Sequence, residues 1–573
     1  MYSTDGNTIK HIKKKHSSLI LKDFSNESRE NLETQYTYKT EHGKEKPVLR
    51  TTWKVIEWKV MHGISMEALC DSRYKEEMFK YPESIKCPET MRKIMHCIAD
   101  QILETNINLL ANEKVSLIAD GGTVNKTKWY AIGSTKIIYD DSSDIALFDV
   151  VVSQGDTTDD IKNIIEEVQK KLATHNAIIA AICTDNAANI ANGFINTHAL
   201  RQAPTTSTQS MPLIILRVAC AIHTFNLVIK DVAKNNPHFG RLCEVIKILP
   251  KRLQYLGEDK KESIGLTGCP NWQPQRWNHL LHLYIYANNR VETIRKIFPE
   301  INITKKDCEL MLKILHPLGY AVTYLEGDKM NQAHVYEQYL KLHKEWEDLG
   351  REEGCKTISQ ALIERLDYHC KYTLDIGISR IAYYATDAGT KRWQDVYQPR
   401  NINLDSAEGD RIINRKRNDL KLKMKETIEN LCSIWHIADI SDKFIELIDK
   451  CKYDKNCKEL CIKSRKTEWE RLHAADEKGA EDIDNFYKYI AVLPASEAHS
   501  ERTFARMRDL ISENMSNLGD ESLRDEIIIK MHVTRGNCYH ESSKYYTSAA
   551  IATPISTAAT SVASSEVPSE DEE

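Results

Sequence analysis

The sequence predicts an α/β protein whose mixed sheet is interrupted by a long all-helical insertion and preceded by a mostly helical N-terminal segment. Three observations carry this. Three β-rich runs follow one another closely, VSLIAD (115–120), WYAIGSTKIIY (129–139) and DIALFDVVV (144–152). The chain then alternates between helical and strand patterns. From roughly 225 to 480 there is almost no strand signal. A meander feeding strand–helix crossovers gives a sheet whose later strands are parallel and covered by helices.

Each element has its own local reason. Residues 17–110 read as a helical or linker region, with apolar residues recurring at three- and four-residue intervals in ETMRKIMHCIADQIL (89–103). Gly121-Gly122 and DDSS (140–143) supply turn material between the three strands. DDIKNIIEEVQKKL (159–172) has Asp in its first turn and Lys in its last, as the helix dipole prefers. A strand follows at 177–183, then a helix over about 186–200 and a strand at 213–221. Residues 111–230 therefore form the first part of the sheet-based core. The helical insertion spans 231–480, with KLHKEWEDL (341–349) and SRKTEWERLH (464–473) typical of it. Residues 481–536 complete the core, and the Ser/Thr/Ala-rich acidic tail of 537–573 is expected to be disordered.

Composition narrows the function classes. Hydrophobic residues make up 41% and charged residues 28% of 573, the balance of a soluble globular protein. No apolar run reaches the roughly 18 residues of a membrane span; the best stretch, 212–223, contains Arg217. The first ten residues lack a secretory apolar core, and the 15 cysteines contain no C-x-x-C pair, so they read as reduced intracellular thiols. A net charge of -5 gives no global attraction to nucleic acid, so any DNA binding must come from local basic patches.

Several residues have the types and positions that chemistry needs. Asp120 closes the first strand of the meander and Asp185 closes the strand at 177–183. On parallel neighbours the two carboxylates emerge at one sheet edge, as two-metal phosphoryl transfer requires. Each also has a structural reading: Asp120-Gly121 is a turn dipeptide, and Asp185 suits a helix N-cap. Cys220 and His223 lie three apart at a strand end, either as metal ligands or as a buried Cys beside a hydrogen-bonded His. NWQPQRWN (271–278) places Arg276 beside Trp277, suited to stacking on an unpaired base or to packing. His11 and His16, in HIKKKH, have the spacing of half a His-x3–5-His zinc site. The sequence begins at Met1 with no cysteine half, so zinc is not expected there; a solvated basic segment is the other reading. RIINRKRNDLKLKMK (411–425) suits phosphate tracking, nuclear import or a solvated helix face. Glu501, on a helix beginning near Ser496 or Ser500, reads by itself as a solvated charge.

The order DGGT (120–123), TDNAAN (184–189), CAIHTFNL (220–227), QRWN (275–278) and LPASEAHSERTF (493–504) resembles the hAT superfamily of transposases. The resemblance covers roughly 110–535 in scattered blocks, of which the last and the C-x-x-H-x-x-N-L block are the most specific. It implies a ribonuclease H-like core with a helical insertion. It also implies an acidic triad of Asp120, Asp185 and Glu501 holding Mg²⁺ or Mn²⁺ for DNA cleavage and strand transfer. Cys220 and His223 would lie near the scissile DNA, and Trp277 would support a flipped base. Residues 490–535 would mediate self-association, HIKKKH resembles the closing half of a BED-type finger, and the location would be the nucleus. The chain departs from the pattern at Gly122, where the family commonly has Trp. A transposase-derived protein that dimerises and binds DNA without cutting it is the alternative that these departures favour.

Overall fold

The computed structural model describes residues 33–40, 42–72, 85–137, 143–153, 155, 157–187, 193–195, 213–272, 278–327, 330–397, 407–450, 477–514 and 519–534. His11, His16, Arg276, Trp277, the expected helix at 464–473 and the acidic tail lie outside the described residues. The chain is mixed α/β, as its patterning predicts. Its main sheet is open and six-stranded, in the order β5-β4-β3-β6-β8-β7.

The three β-rich runs become β3 (Lys114–Val124), β4 (Thr127–Ile137) and β5 (Ser143–Val152), an antiparallel meander. β6 (Ile178–Thr184) and β8 (Leu213–Ala219) extend the sheet in parallel from β3. The helix expected over about 186–200 is a correction. Where that span is described, Phe194–Ile195 form a two-residue edge strand, β7, parallel to β8. An aromatic and a β-branched residue after Gly193 suit a strand edge better than a helix.

The N-terminal region is corrected in the same way. Glu33–Lys39 (β1) and Glu45–Leu49 (β2) form an antiparallel hairpin ahead of the helices. Gly43, at φ +72°, makes its turn, and its N–H donates to the Thr40 carbonyl at 2.9 Å. The alternating Thr and Tyr residues of ETQYTYK are a strand signal. Helices α1 (Arg50–His62) and α2 (Pro88–Asn108) follow.

Alternation along β3 decides which helix covers which face. Leu117 and Ala119 pack with Ile161, Ile165 and Leu172 of α3 (Thr158–Ala173) on one face. The start of α3 is fixed by a capping box: the Asp160 N–H donates to Thr157 Oγ1 at 3.2 Å, and the Thr157 N–H donates to Asp160 Oδ2 at 3.0 Å. Ile118 and Asp120 belong to the opposite face, where α4 (Ala221–Asn235) and the C-terminal helices lie.

The helical insertion packs around a core that includes Trp346, Leu315 and Leu362. Among its helices is α5 (Ala407–Trp435), whose Trp435 indole donates to the Ala180 carbonyl at 2.8 Å and stacks on Tyr489. The basic stretch 411–425 lies on α5. Arg417 and Lys421 pair with Asp449, Lys423 with Asp419 and Lys425 with Asp442. Arg411, Arg415, Lys416 and Lys423 are the exposed basic residues of this stretch.

After α6 (Glu477–Ala491), the segment Leu493–Ser496 straps the insertion to the sheet. The Gln332 N–H donates to the Leu493 carbonyl at 3.0 Å, the Ala495 N–H to the Met330 carbonyl at 3.2 Å, and Ser496 Oγ to the Leu325 carbonyl at 2.9 Å. It leads into α7 (Ala498–Asn514) and then α8 (Asp520–Val533). α8 does not stand out as a free surface. Leu523, Ile527, Ile528 and Ile529 are buried in one core with Val55, Ile56 and Val60 of α1 and Ile98 of α2. The segment expected to mediate self-association thus buries much of its apolar surface within its own chain. No helix among the described residues is long and apolar enough to cross a membrane.

Candidate metal centre at the sheet edge

The site begins with register. β3 and β6 are parallel neighbours, with Ile118 paired to Cys183. Two residues further on stand Asp120 and Asp185, so the carboxylates share one side of the sheet where β6 ends. Asp185 follows its strand end as the sequence reading expects, but Asp120 does not close its strand, because β3 runs on to Val124. Gly121 and Gly122 pair with Tyr130 and Trp129 in the ladder instead of forming a turn, and the turn falls at Asn125 and Lys126, both at positive φ. The Gly121 N–H donates to Asp120 Oδ1 at 2.7 Å, and the Ala187 N–H donates to Asp185 Oδ1 at 3.0 Å. The second contact closes an Asx-type turn. Within the described residues Asp185 caps a turn rather than a helix.

Arg217, on β8, fixes where Asp185 lies. Its buried guanidinium donates to Thr184 Oγ1 (Nε, 2.9 Å), to Asn186 Oδ1 (Nη2, 2.9 Å) and to the Asp185 carbonyl. A cation taken out of water persists only when its donors are matched. Arg217→Leu is expected to lose roughly 2–4 kcal/mol, because three buried or half-buried acceptors lose a charged donor. Urea denaturation checks this, and an unchanged midpoint would show that Arg217 does not hold the loop.

α7 lies across the same edge. Ser500 Oγ donates at 3.1 Å to the carbonyl of Ala131, the residue that pairs with Asp120 in the ladder. One turn on, Phe504 covers Gly122, where an added Cβ would lie 2.9 Å from the ring. This is a physical reason for glycine where the resembled family commonly has Trp: the aromatic volume comes from α7 instead. Gly122→Ala is expected to cost about 1–3 kcal/mol through overpacking. Its melting temperature should fall, and Phe504→Leu in the same chain should restore most of the loss.

Glu497 and Glu501 stand one turn apart at the head of α7. Glu497 is fully buried, and its carbonyl accepts the N–H groups of Ser500 (2.9 Å) and Glu501 (3.3 Å). The C-x-x-H spacing places Cys220 at the N-cap of α4 and His223 in its first turn. The two helix starts are tied together. The Ala221 N–H donates to the Ala495 carbonyl at 3.1 Å, and the Cys220 N–H to the Thr184 carbonyl at 2.9 Å. His223 Nδ1 pairs with Glu497 Oε1, and His223 Nε2 lies 3.9 Å from Glu501 Oε1.

The charges crowd one another. Burial, reinforced by Glu497, Glu501 and Asp185, raises the Asp120 carboxyl well above the usual carboxylate range. Burial also raises Glu497, against the opposing pull of His223. For His223 burial works downward, but the contacts with Cys220 and Glu497 outweigh it and favour the imidazolium. Functional sites commonly gather groups whose proton affinity is perturbed in this way.

The structure thus brings Asp120, Asp185, Glu501, Cys220 and His223 to one place. Among the described residues, however, the three ligand types that meet within 4.8 Å are Cys220, His223 and Glu497, not the three acids named by the sequence. Cys220 is buried beneath the site, so its sulfur faces protein rather than solvent. Sequence reasoning missed Glu497 and Arg217. The signal for Arg217 was a lone cation inside an apolar run; for Glu497 it was the i, i+4 spacing to Glu501. No protein-family model matches the chain, and no curated protein matches it either.

Proposed function

We propose that the chain is a transposase-type DNA-processing protein of the hAT kind, with a ribonuclease H-like core and a nuclear location. In this reading Asp120, Asp185 and Glu501 hold Mg²⁺ or Mn²⁺ at the sheet edge. A crowd of carboxylates, one of them driven towards its protonated form by burial and by its neighbours, is a donor set that hard divalent cations neutralise. Held by these residues, such an ion would supply activation of water for attack on a phosphodiester and stabilisation of the leaving oxygen, and the 3′ hydroxyl so freed would be the group that attacks a second strand. The chain's own part is positioning. β3 and β6 fix two acids level with each other, Arg217 holds the second, and α7 lays Glu501 across them.

The observation that carries this reading is the pair Asp120 and Asp185 at one edge of adjacent parallel strands, with Glu501 on the covering helix. An antiparallel meander continued by parallel crossovers, followed by a helical insertion, supports the fold assignment. DNA and a second copy of the chain are the proposed partners, with Arg411, Arg415 and Lys416 as phosphate contacts. The reading in which the protein binds DNA and dimerises without cutting draws on one observation, that the three acids do not close as tightly as the Cys220 group.

Nicking of supercoiled plasmid in Mn²⁺ tests the proposal, because it needs no cognate DNA ends. Wild type is expected to nick and Asp185→Asn to remain at background. Equal nicking by both proteins would remove Asp185 from the chemistry, and no nicking by either would favour the non-cutting reading.

A further inference from the structure

We propose that Cys220, His223 and Glu497 form a binding site for a zinc-class divalent cation, distinct in ligand chemistry from the acids that would hold Mg²⁺ or Mn²⁺. The proposal stands whether or not the chain cuts DNA. The ligand atoms, one thiol sulfur, one imidazole nitrogen and one carboxylate oxygen, all lie within 4.8 Å of one another. Tetrahedral zinc, with bonds of about 2.0–2.3 Å, needs ligand atoms roughly 3.3–3.8 Å apart. The more widely spaced ligands would therefore close by at most about an ångström, while the His223–Glu497 pair, in direct contact here, would open to admit the ion.

Glu497 supplies the independent observation. It has no exposed surface, yet neither carboxylate oxygen has a hydrogen-bond donor of good geometry among the described residues. Among the described residues its close polar contact is the ion pair of Oε1 with His223 Nδ1. Buried carboxylates are normally satisfied by several donors, and one without them points to a cation. A soft sulfur and an imidazole select zinc over magnesium or calcium, which take oxygen.

The frame around the three ligands is rigid. Cys220 and His223 share the first turn of α4, and the Ala221–Ala495 backbone bond holds that turn against the head of α7. Thr224 Oγ1 donates to the Cys220 carbonyl at 2.9 Å and accepts from Asn186 Nδ2 at 3.3 Å, so the residues behind the ligands are themselves held. Three protein ligands leave one position for water or substrate, the pattern of reactive rather than purely structural zinc. This site owes nothing to His11 and His16.

Cobalt(II) titration of the full chain, stripped with chelator and monitored by absorption, tests the proposal. Wild type is expected to take up Co²⁺ with intense visible bands of tetrahedral geometry and a near-ultraviolet thiolate-to-cobalt band. Zn²⁺ should displace it, and a large excess of Mg²⁺ should not. Cys220→Ser should lose the thiolate band, whereas Cys243→Ser, a buried thiol outside the cluster, should keep it. Glu497→Gln, close in shape to the native side chain, should weaken Co²⁺ binding by at least about tenfold. A thiolate band that persists in Cys220→Ser, unchanged affinity in Glu497→Gln, or octahedral spectra from folded wild type would each overturn the proposal. In that case the His223–Glu497 contact is a metal-free ion pair.

Discussion

Asp120→Asn is expected to bring Mn²⁺-dependent nicking down to background while leaving the fold as stable as wild type or more stable by about 1 kcal/mol. The two halves of this result have one cause. The Asp120 carboxyl is held among Glu497, Glu501 and Asp185, and burial together with those charges pushes its proton affinity well upward. A neutral amide removes that repulsion and removes a metal ligand in the same stroke. Functional sites characteristically hold such destabilising arrangements, and neutralising them trades activity for stability.

The sign of the pH dependence follows. With chelator present, folded Asp120 keeps a proton that the unfolded chain releases above about pH 4. Its contribution to stability is present at low pH and is lost as pH rises from the usual carboxylate range towards the raised folded value. Wild type should therefore lose stability over that climb, and Asp120→Asn should lose less. Thermal unfolding at a series of pH values reads this directly. A variant that is clearly destabilised and still nicks would make Asp120 a structural residue of β3, held by its bond to the Gly121 N–H, and not a metal ligand.

The second large effect concerns the seam between the two ends of the chain. Lys59 of α1 and Glu526 of α8 form an ion pair in which both side chains are almost fully buried, at 2% and 3% exposure. Removing one partner leaves an uncompensated charge in an apolar core that includes Ile56, Ile527 and Ile528. Glu526→Ala is expected to cost about 3–5 kcal/mol, measured by the urea midpoint. The pair itself is expected to add little over an apolar substitute, because desolvating two ions offsets most of their attraction. Lys59→Met with Glu526→Leu should therefore recover most of the loss. If the double variant is as unstable as the single one, the seam depends on the charges themselves. The same seam carries His96 Nδ1 against Asp525 Oδ2 at 3.0 Å and Tyr36 Oη against His532 Nε2 at 3.2 Å. Truncating 490–535 thus strips the N-terminal helices of their cover and removes Glu501. Dimerisation is better tested by light scattering of the whole chain than by deletion.

What the sequence by itself determined were the features that depend on near neighbours. The five long strands of the main sheet and α3 follow from alternation, helical spacing and a Thr157–Asp160 capping box, all within about a dozen residues. Asp120 and Asp185 were legible as candidate acids because a carboxylate after an apolar run stands out from its surroundings, but only Asp185 ends its strand; Gly121 and Gly122, read as a turn, continue β3 as far as Val124. The missed hairpin at Glu33–Lys39 and the mistaken helix near Phe194 were local signals too, weaker ones read with the wrong period.

Only the tertiary structure decided which charged residues are buried and what they meet. Glu497 and Glu501 stand four residues apart on the same segment, yet the first is fully buried and the second half-buried. Nothing in their immediate sequence separates them, because burial here comes from α4 and the sheet, contributed by residues several hundred positions earlier. The same holds for Lys59 against Glu526 and for Gly122 under Phe504. A local pattern sets the conformation of a segment, but the cost of a buried charge and the partner that offsets it are set by contacts the chain makes only once it has folded.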